Sequence, residues 1–252
     1  MRREAHSMGH PDPDATCGKV STFLHAFPWP ARAVGDWLPW ASMTKAYRIK
    51  EIFLTLQGEG AQAGRAAVFC RFAGCNLWTG RPEDRAAAAC RFCDTDFNGI
   101  DGERGGEYDF SGVVLQVIEA WGGRPGKPYV VCTGGEPLLQ LDVLLIAGFH
   151  AAGFEIAIET NGTLAAPEGI DWICVSPKAG TRVVQRSGQE LKVVVPQVHD
   201  WSELESWDFA HRFVQPMDGP DRDGSTKAAI AHCLERPLWR LSLQTHKLLG
   251  IP

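Results

Sequence analysis

Apolar residues in this chain fall into short continuous runs, separated by stretches in which they recur at helical spacing. Runs such as YVVC, WICV and LKVVV are typical of strands that are buried on both faces in a parallel sheet. The runs predict strands at Arg48–Thr55, Ala67–Phe72, Tyr129–Cys132, Glu155–Glu159, Trp172–Val175, Leu191–Val195 and Arg212–Gln215. The intervening stretches predict helices at Ser111–Trp121, Leu138–Ala152, Trp201–Trp207 and Ser225–Leu234.

The alternation of strands and helices predicts how the strands are arranged. A strand, a helix and a further strand in succession place the two strands parallel in one sheet. The connection between Val175 and Leu191 is too short for a full helix, so we do not expect eight regular units. The fold class is therefore α/β, an incomplete or degenerate (β/α) barrel with a mostly parallel sheet. Its functional site should lie at the carboxyl ends of the strands.

Residues 1–43 differ in composition from the rest of the chain. Prolines and tryptophans are frequent there, and neither helical nor strand periodicity is present. Proline at this density blocks regular structure. We expect either a disordered or loosely docked extension or a true translation start at Met43, with residues 44–252 forming the main domain. Mass spectrometry of the native protein distinguishes the two, because a peptide from residues 1–42 excludes the later start.

Composition excludes several classes of function. The 252 residues are 44% hydrophobic and 22% charged, which is ordinary for a globular chain of this size. The formal net charge of −5 argues against extensive nucleic-acid binding. There is no apolar run of about eighteen residues, and the basic amino terminus lacks the apolar segment of a secretory signal. We expect no nucleic-acid or membrane partner, and a reducing, cytoplasmic location for the eight cysteines.

Three cysteines lie close together in a loop-like sequence. Cys75, Cys90 and Cys93 follow the pattern C-x14-C-x2-C among glycine, asparagine, arginine and aspartate. Three thiolates can hold three irons of a [4Fe–4S] cluster and leave the fourth iron open to a ligand. A zinc site that also uses Cys70 is the alternative, because C-x4-C-x14-C-x2-C is close to known zinc patterns. Against zinc, Cys70 is central in a predicted strand and turns toward a loop with difficulty.

A second motif, Thr133-Gly134-Gly135-Glu136-Pro137, follows the run YVVC. Two glycines allow the backbone to approach a ligand closely and to present its amide groups. Glu136 adds a carboxylate at the strand end, which suits a cationic amine. The alternative is a tight turn into a helix with Pro137 in its first position. Only the combination with the cysteine pattern makes the motif specific.

Together these motifs resemble those of the radical S-adenosylmethionine (SAM) enzymes. The usual spacing there is C-x3-C-x2-C, and this chain departs from it in the first gap. The departure, with LQGEG, RFAGCNLW, CDTDF, CTGGEP, ETNG, VSPK, QPMDGP and SLQTHKLLGIP, resembles the 7-carboxy-7-deazaguanine synthase family. The resemblance runs from about Tyr47 to Pro252 and implies that residues 44–252 form a radical SAM catalytic domain, an incomplete and degenerate (β/α)6 barrel.

The resemblance implies a lyase reaction with three cofactors. A [4Fe–4S] cluster would reduce SAM to methionine and a 5′-deoxyadenosyl radical, which would abstract hydrogen from C6 of 6-carboxy-5,6,7,8-tetrahydropterin. Ring contraction with loss of ammonia would give 7-carboxy-7-deazaguanine on the path to queuosine, with SAM regenerated and Mg²⁺ required. The implied partners are the small pterin substrate, an electron donor such as flavodoxin or ferredoxin, and a second copy in a homodimer. The alternatives are another radical SAM activity, such as a glycyl-radical activase, and a zinc-stabilised binding module.

The resemblance also implies roles for individual residues. Cys75, Cys90 and Cys93 would ligate the cluster, and Thr95 would be the protein ligand of Mg²⁺. The residues implied for SAM are Phe92, Cys93, Asp94, Gly135, Glu136, Ser176, Pro177, Lys178, Gln215, Pro216, Met217 and Asp218. The residues implied for the substrate are Leu56, Gln57, Gly58, Arg71, Thr133 and, through its terminal carboxylate, Pro252, with Glu59 and His246 as weaker candidates. Arg71 suits the 6-carboxylate because a guanidinium pairs with a carboxylate through two hydrogen bonds; a salt bridge within the sheet is the alternative.

Overall fold

The computed structural model describes residues 45–252, so the expectations for residues 1–43 and for a start at Met43 lie outside the described residues. Within this range nine strands form one sheet. They are β1 (Tyr47–Leu56), β2 (Ala66–Phe72), β3 (Gly106–Tyr108), β4 (Tyr129–Gly134), β5 (Glu155–Thr160), β6 (Trp172–Val175), β7 (Ser187–Val195), β8 (Asp208–Pro216) and β9 (Arg240–Leu241). The α-helices are α1 (Phe110–Trp121), α2 (Val143–Ala151), α3 (Trp201–Glu205), α4 (Arg222–Glu235) and α5 (Thr245–Leu249). Three further 3-10 helices cover Gly60–Gln62, Pro82–Ala87 and Pro137–Leu139.

The sheet is an open barrel in which most strands are parallel. The strand order is β3-β1-β2-β4-β5-β6-β7-β8-β9. Every neighbouring pair from β2 to β9 is parallel, whereas β1 is antiparallel to both β2 and β3. No helix separates β5 from β6 or β6 from β7 in the described chain. The prediction of an incomplete, degenerate barrel with a mostly parallel sheet is confirmed. No helix among residues 45–252 is long and apolar enough to cross a membrane.

Each predicted strand corresponds to an observed one, but one predicted helix is divided. The segment Leu138–Ala152 contains a 3-10 turn at Pro137–Leu139 and then α2. The division arises because two acidic side chains cap separate turns. Glu136 accepts a hydrogen bond from the Leu138 amide, and Asp142 accepts one from the Leu145 amide. The sequence analysis missed β3, β9 and α5, which have three, two and five residues and so show little periodicity.

The apolar strand runs are explained by burial on both faces. In β4, Val130 and Cys132 pack in the core under α1 and α2, whereas Tyr129 and Val131 fill the barrel interior. In β7, the alternate residues Leu191, Val193 and Val195 pack in a second core with α3 and α4. The residues between them therefore face the barrel interior. This alternation places polar side chains of otherwise apolar strands inside the barrel.

His232 offers a test of the packing around α4. Its ring centroid lies 3.8 Å from that of Trp201, and its Nε2 is buried without a hydrogen-bond partner among the described residues. Burial first, and the positive charge of Arg236 second, lower the pKa of His232 below its ordinary value. The His232 imidazole therefore binds a proton more readily in the unfolded chain than in the folded one. The folded protein keeps its full stability above the unfolded pKa of about 6.5, where His232 is neutral in both states, and loses stability as the pH falls below that value.

We expect the free energy of unfolding to fall as the pH is lowered from about 7 to about 5. The fall should be smaller in His232→Gln, which has no imidazole to protonate. Urea unfolding at several pH values measures both. Equal pH dependence in the two proteins would contradict this account of His232.

Candidate active site

A cavity of about 380 Å³ lies at the carboxyl ends of the parallel strands. Its volume falls within the range of about 300–1,000 Å³ that is usual for small-molecule sites. Strands β2, β4, β5, β7 and β8 contribute to its wall, together with the loop that follows Cys90 and the segment that includes α5. The lining residues that strands and their ends supply include Gln57, Arg71, Thr133, Gly135, Glu159, Ser176, Lys178, Lys192, Gln215 and Met217.

Strand register explains why the polar lining residues converge. Arg71 of β2 is directly opposite Thr133 of β4, and both face the barrel interior, since their neighbours Cys70 and Cys132 pack on the outer side. Glu159 of β5 and Lys192 of β7 likewise alternate with residues of the outer core. Because parallel strands end at one edge of the barrel, these four side chains lie in one cavity.

Cys90 and Cys93 both line this cavity, and their thiols form a hydrogen-bonded pair. The hydrogen bond from Cys90 lowers the pKa of Cys93 below its ordinary value. The same hydrogen bond raises the pKa of Cys90. The pairing therefore favours the loss of a proton from Cys93 before Cys90. A deprotonated sulfur is the form that binds iron.

Cys75 does not line the main cavity. Its Sγ accepts a hydrogen bond from the Leu77 amide at 3.4 Å, and burial raises its pKa, with a smaller contribution from the nearby Cys93. Cys75 lines a second, more open cavity of about 410 Å³ with residues of the segment that follows it. The three cysteines therefore lie in one region of the structure. Cys90 and Cys93 line the main cavity, and Cys75 lines the second cavity.

The zinc alternative does not fit this arrangement. Cys70 is fully buried on the outer face of β2, in the core under α1 and α2, whereas its neighbour Arg71 faces the cavity. No three His, Cys, Asp or Glu side chains in residues 45–252 gather around one point where a single metal ion could bind. A tetrahedral zinc site needs four such ligands at about 2.0–2.3 Å. An iron–sulfur cluster presents several metal atoms to ligands that lie farther apart, and the three cysteines suit that group.

The glycines of the TGGEP motif are needed because the Cys75 loop lies directly against them. A Cβ on Gly135 would lie 2.5 Å from Cys75 Cβ and closer still to the Gly74 carbonyl oxygen. Gly134 has φ +139° and would meet the Phe72 backbone. The Glu136 amide donates to the Gly74 carbonyl at 3.0 Å. The motif therefore fixes the position of the loop that carries Cys75.

Glu136 is fully buried and does not line the cavity. Its carboxylate accepts hydrogen bonds from Thr160 Oγ1 at 2.7 Å, from the Asn161 amide at 2.8 Å and from the Leu138 amide at 3.0 Å. Burial raises its pKa despite these donors. In this structure the carboxylate supports the ETNG loop, whereas the Gly134 and Gly135 backbone faces the cavity.

Lys247 joins two motifs that the sequence assigns to SAM. Its ammonium contacts Asp94 of the CDTDF segment and pairs with Asp218 of QPMD at 2.8 Å. Burial alone would raise the pKa of Asp94, but Lys247 and Gln244 hold it below its ordinary value. Helix α5 therefore ties the cysteine loop to the end of β8. Lys178 is a second lysine of the cavity lining, and its Nζ donates to Ser176 Oγ at 2.7 Å.

A buried ion cluster forms the floor of the cavity. Lys192 is 3% exposed and pairs with Glu59 at 2.6 Å and with Glu159 at 2.7 Å. Burial opposes its charge, but the surrounding acidic groups raise the pKa of Lys192 well above its ordinary value. Glu190 lies next to the cluster, and burial raises its pKa. The floor thus offers carboxylate oxygens, held in fixed positions, to a ligand with N–H groups.

The LQGEG segment has a different role at each residue. Gln57 lines the cavity and donates to Glu159 at 3.2 Å. The Gly58 carbonyl accepts from the Thr245 amide at 2.9 Å, and a Cβ on Gly58 would lie 2.8 Å from His246 Cγ. Gly60 has φ +64° and faces the Glu190 carboxylate. The segment therefore holds α5 in place in addition to reaching the cavity.

Most of the predicted site residues come together, and some do not line the cavity. The predicted residues that line it are Gln57, Arg71, Cys90, Phe92, Cys93, Asp94, Thr95, Thr133, Gly135, Ser176, Lys178, Gln215, Pro216, Met217 and Asp218, with the weaker candidates Glu59 and His246. Those outside the lining are Leu56, Gly58, Cys75, Glu136, Pro177 and Pro252. The Pro252 main-chain oxygen instead accepts from Thr55 Oγ1 at 2.8 Å, near the carboxyl end of β1.

Several lining residues were assigned no role in the sequence analysis. Some of them lie within the motifs quoted there, namely Asp96, Gly134, Glu159, Thr160, Asn161, Gln244 and Lys247, and the others are Lys50, Glu51, Phe69, Lys192 and Val194. Of the residues outside those motifs, Lys192 carried a detectable signal. A lysine inside the apolar run LKVVV must be paired if the strand is buried, and a carboxylate partner could have been sought.

The fold and the three cysteines define a radical SAM enzyme, and the comparisons with known proteins agree. The model of the Radical SAM superfamily matches residues 84–189, a range that contains Cys90 and Cys93 and stops short of Cys75. The crystal structure of QueE from Escherichia coli aligns with a TM-score of 0.57 at 29% identity, covering 79% of this chain and 93% of that one.

Closer relatives narrow the assignment to one family. The 7-carboxy-7-deazaguanine synthase of Caulobacter vibrioides is 62% identical over 208 residues, which cover 82% of this chain and 99% of the relative. The enzyme of the same name from Bordetella pertussis is 61% identical over 209 residues, which cover 82% of this chain and 100% of the relative. The chain belongs to the 7-carboxy-7-deazaguanine synthase family.

Proposed function

We propose that this chain converts 6-carboxy-5,6,7,8-tetrahydropterin to 7-carboxy-7-deazaguanine and ammonia in 7-deazapurine biosynthesis. One observation carries the proposal beyond family membership. The cysteine pair Cys90–Cys93 opens into the same cavity as Arg71, Thr133 and the carboxylates of the floor. A group bound at the cysteines would therefore face a ligand bound at the floor.

The site residues fit the proposed cofactors. Cys75, Cys90 and Cys93 would hold a [4Fe–4S] cluster, whose open iron with SAM supplies hydrogen-atom abstraction. The Gly134–Gly135 backbone, Ser176, Lys178 and the QPMD segment line the same cavity as Cys90 and Cys93 and would bind SAM. Phe92 lies 5.8 Å from the Lys178 ammonium, measured from its ring centroid, and would pack against the same ligand. Glu136 would act on SAM through the loops that it supports.

The chain's own groups would orient and enclose the substrate. Glu59 and Glu159 would accept hydrogen bonds from the N–H groups of the pterin, because Lys192 holds both carboxylates in position. Gln57 would bind the same edge of the pterin. His246 of α5 lines the cavity and would help to exclude water, which would protect a reactive intermediate.

We also propose Mg²⁺ dependence, a lyase reaction and the partners that the sequence implies. Thr95 lines the cavity beside Asp96, and hydroxyl and carboxylate oxygens are ligands that Mg²⁺ accepts. Asp96 accepts a hydrogen bond from Lys50 Nζ at 2.8 Å, so Thr95 is the freer of the two. Activity with and without Mg²⁺ tests the requirement for the ion.

Two protein partners are also part of the proposal. A flavodoxin or ferredoxin would supply the electron, and the chain would act as a homodimer. Light scattering tests whether the chain is a dimer in solution.

The deciding experiment is an anaerobic assay with SAM, a reductant, Mg²⁺ and the carboxy-tetrahydropterin. We expect a brown protein that absorbs at about 400 nm and forms the deazaguanine. A colourless protein that holds one zinc per chain would contradict the proposal. A brown protein that cleaves SAM but leaves the pterin unchanged would indicate another radical SAM activity, such as a glycyl-radical activase.

Arg71 gives a sharper test of the substrate site. Its Nε pairs with Glu51 at 2.7 Å within the sheet, which leaves the outer edge of the guanidinium for a carboxylate. Arg71→Lys keeps the charge and loses the paired geometry. We expect kcat/KM to fall about 10- to 100-fold, from a loss of about 1.5–3 kcal/mol, mainly through KM.

The matched control is Arg65→Lys. Arg65 donates two hydrogen bonds to the carboxylate of Glu155 at the amino end of the barrel, away from the cavity. The KM of the Arg65→Lys variant should equal that of the unmodified chain. An unchanged KM in Arg71→Lys would show that Arg71 serves the sheet alone.

A further inference from the structure

Residues 76–89, which separate the first cluster cysteine from the other two, form a compact unit that we refer to as the insert. The Ala89 amide donates to the Leu77 carbonyl at 3.1 Å and closes the insert at its base. Between these residues lies the 3-10 helix Pro82–Ala87. Thr79 Oγ1 donates to Asp84 at 2.7 Å and holds the start of this helix. The insert therefore has its own fixed structure.

Arg85 is the side chain of the insert that reaches the cysteine loop. Its Nη1 donates to the Arg91 carbonyl at 2.9 Å and to the Cys93 carbonyl at 3.0 Å. These two carbonyls flank Phe92, which lines the main cavity. Because both are held toward the insert, the backbone around Phe92 and Cys93 has a fixed orientation.

The Arg85 guanidinium stacks on the ring of Trp78. Arg85 Cζ lies 4.0 Å from the centroid of the Trp78 ring, a distance at which a cation is attracted to the ring face. Trp78 is 8% exposed, and its Nε1 donates to the Arg81 carbonyl at 3.1 Å. The ring also meets Phe97 edge-on, with centroids 5.6 Å apart. Trp78 is thus held in the protein interior and keeps the guanidinium of Arg85 in place.

The contacts of Phe97 complete a path back to the first cysteine. Its carbonyl accepts from the Gly74 amide at 3.1 Å, and Gly74 immediately precedes Cys75. A continuous series of contacts therefore runs from the Cys75 loop through Phe97, Trp78 and Arg85 to the Cys93 carbonyl. The insert links the two parts of the cysteine motif that it separates in sequence.

We propose that Arg85 is a positioning residue for the iron–sulfur cluster. Its guanidinium fixes Cys93 and Phe92 relative to Cys75, and it places one positive charge beside the cluster. Groups outside the ligand set that orient the ligands commonly change metal affinity by about 10- to 100-fold. A nearby positive charge also stabilises the reduced cluster, which carries more negative charge, and so raises its midpoint potential. This inference rests on the proposed cluster at Cys75, Cys90 and Cys93.

Three variants separate the geometry from the charge. Arg85→Gln removes the charge and the guanidinium, Arg85→Lys keeps the charge but replaces the planar guanidinium with a compact ammonium, and Arg81→Gln removes an exposed charge from the same insert. Three quantities are measured on the full chain: the rate of cluster loss to a chelator, the cluster midpoint potential, and the alkylation rates of Cys93 and Cys75 before reconstitution.

We expect Arg85→Gln to lose the cluster about 10- to 100-fold faster and to show a more negative midpoint potential. Arg85→Lys should lose the cluster faster and keep a potential near that of the unmodified chain. In both variants Cys93 should be alkylated faster relative to Cys75. Arg81→Gln should match the unmodified chain in all three measurements.

Several outcomes would overturn this role of Arg85. If Arg85→Gln matches Arg81→Gln in cluster loss and potential, Arg85 does not position the cluster. If Arg85→Gln cannot be reconstituted, the alkylation ratio of Arg85→Lys decides, and an unchanged ratio overturns the proposal. An unmodified chain that binds no iron would instead overturn the proposed function.

Discussion

Replacing Gly135 by alanine is expected to abolish stable cluster binding. The added methyl group would lie 2.5 Å from Cys75 Cβ and still closer to the Gly74 carbonyl oxygen. Neither neighbour is the flexible end of a side chain, so the backbone of the Cys75 loop has to move. Iron per chain should fall from about four to below about one after anaerobic reconstitution, with a loss of activity greater than about 100-fold.

The control for this variant is Gly219→Ala. Gly219 follows the QPMD segment, and a Cβ there would meet no atom within 4 Å. Iron content and activity of Gly219→Ala should equal those of the unmodified chain. Far-UV circular dichroism should show that Gly135→Ala keeps its secondary structure. A folded Gly135→Ala protein with a full complement of iron would show that TGGEP does not fix the Cys75 loop.

Replacing Lys192 by methionine is expected to cause a large loss of folding stability, greater than that caused by breaking an ion pair on the surface. Lys192 pairs with Glu59 and Glu159 in the barrel interior, and methionine would leave both carboxylates buried without the cation. Breaking a buried ion pair by removing one partner costs about 3–5 kcal/mol. Urea unfolding of the protein without its cluster should show this loss in the free energy of unfolding.

Glu107→Gln is the matched control for Lys192→Met. It removes the pair between Arg48 and Glu107, which has a distance of 3.4 Å and side chains that are 59% and 58% exposed. Such pairs contribute about 0–1 kcal/mol. The double variant Lys192→Met with Glu59→Gln should recover part of the lost stability, since it removes one unpaired charge. Equal effects of Lys192→Met and Glu107→Gln would contradict the buried ion cluster.

The strands were predictable because the physics that forms them is local to each run. Continuous apolar runs such as YVVC specify burial on both faces, and the structure confirms them as strands. The division of the helix at Leu138–Ala152 was harder to foresee, because it depends on Asp142 capping α2 in preference to continuing the preceding turn. A helix cap of this kind contributes only about 0.5–2 kcal/mol. The spacing of apolar residues does not reveal whether such a cap ends one helix and starts another.

The site was predictable where a motif is continuous and less so where single residues converge. CDTDF, SPK and QPMD each place several residues at the cavity. Lys247 and Gln244 lie about 150 residues from Asp94, as their hydrogen bonds show, and no local pattern relates them. Arg85 was missed for another reason. Its partners are backbone carbonyls, which every residue possesses and which therefore leave no trace in side-chain identity.

The buried ion cluster has a consequence for the order in which the molecule folds. Lys192 is separated from Glu159 by 33 residues, and its other partner, Glu59, lies in the segment that follows β1. Contacts between such distant segments require large loops to close, and they form slowly. The insert, by contrast, is held by hydrogen bonds that span three to eight residues. We therefore expect the cysteine loop to take shape early in folding, before the barrel has closed around the charges on which the pterin would rest.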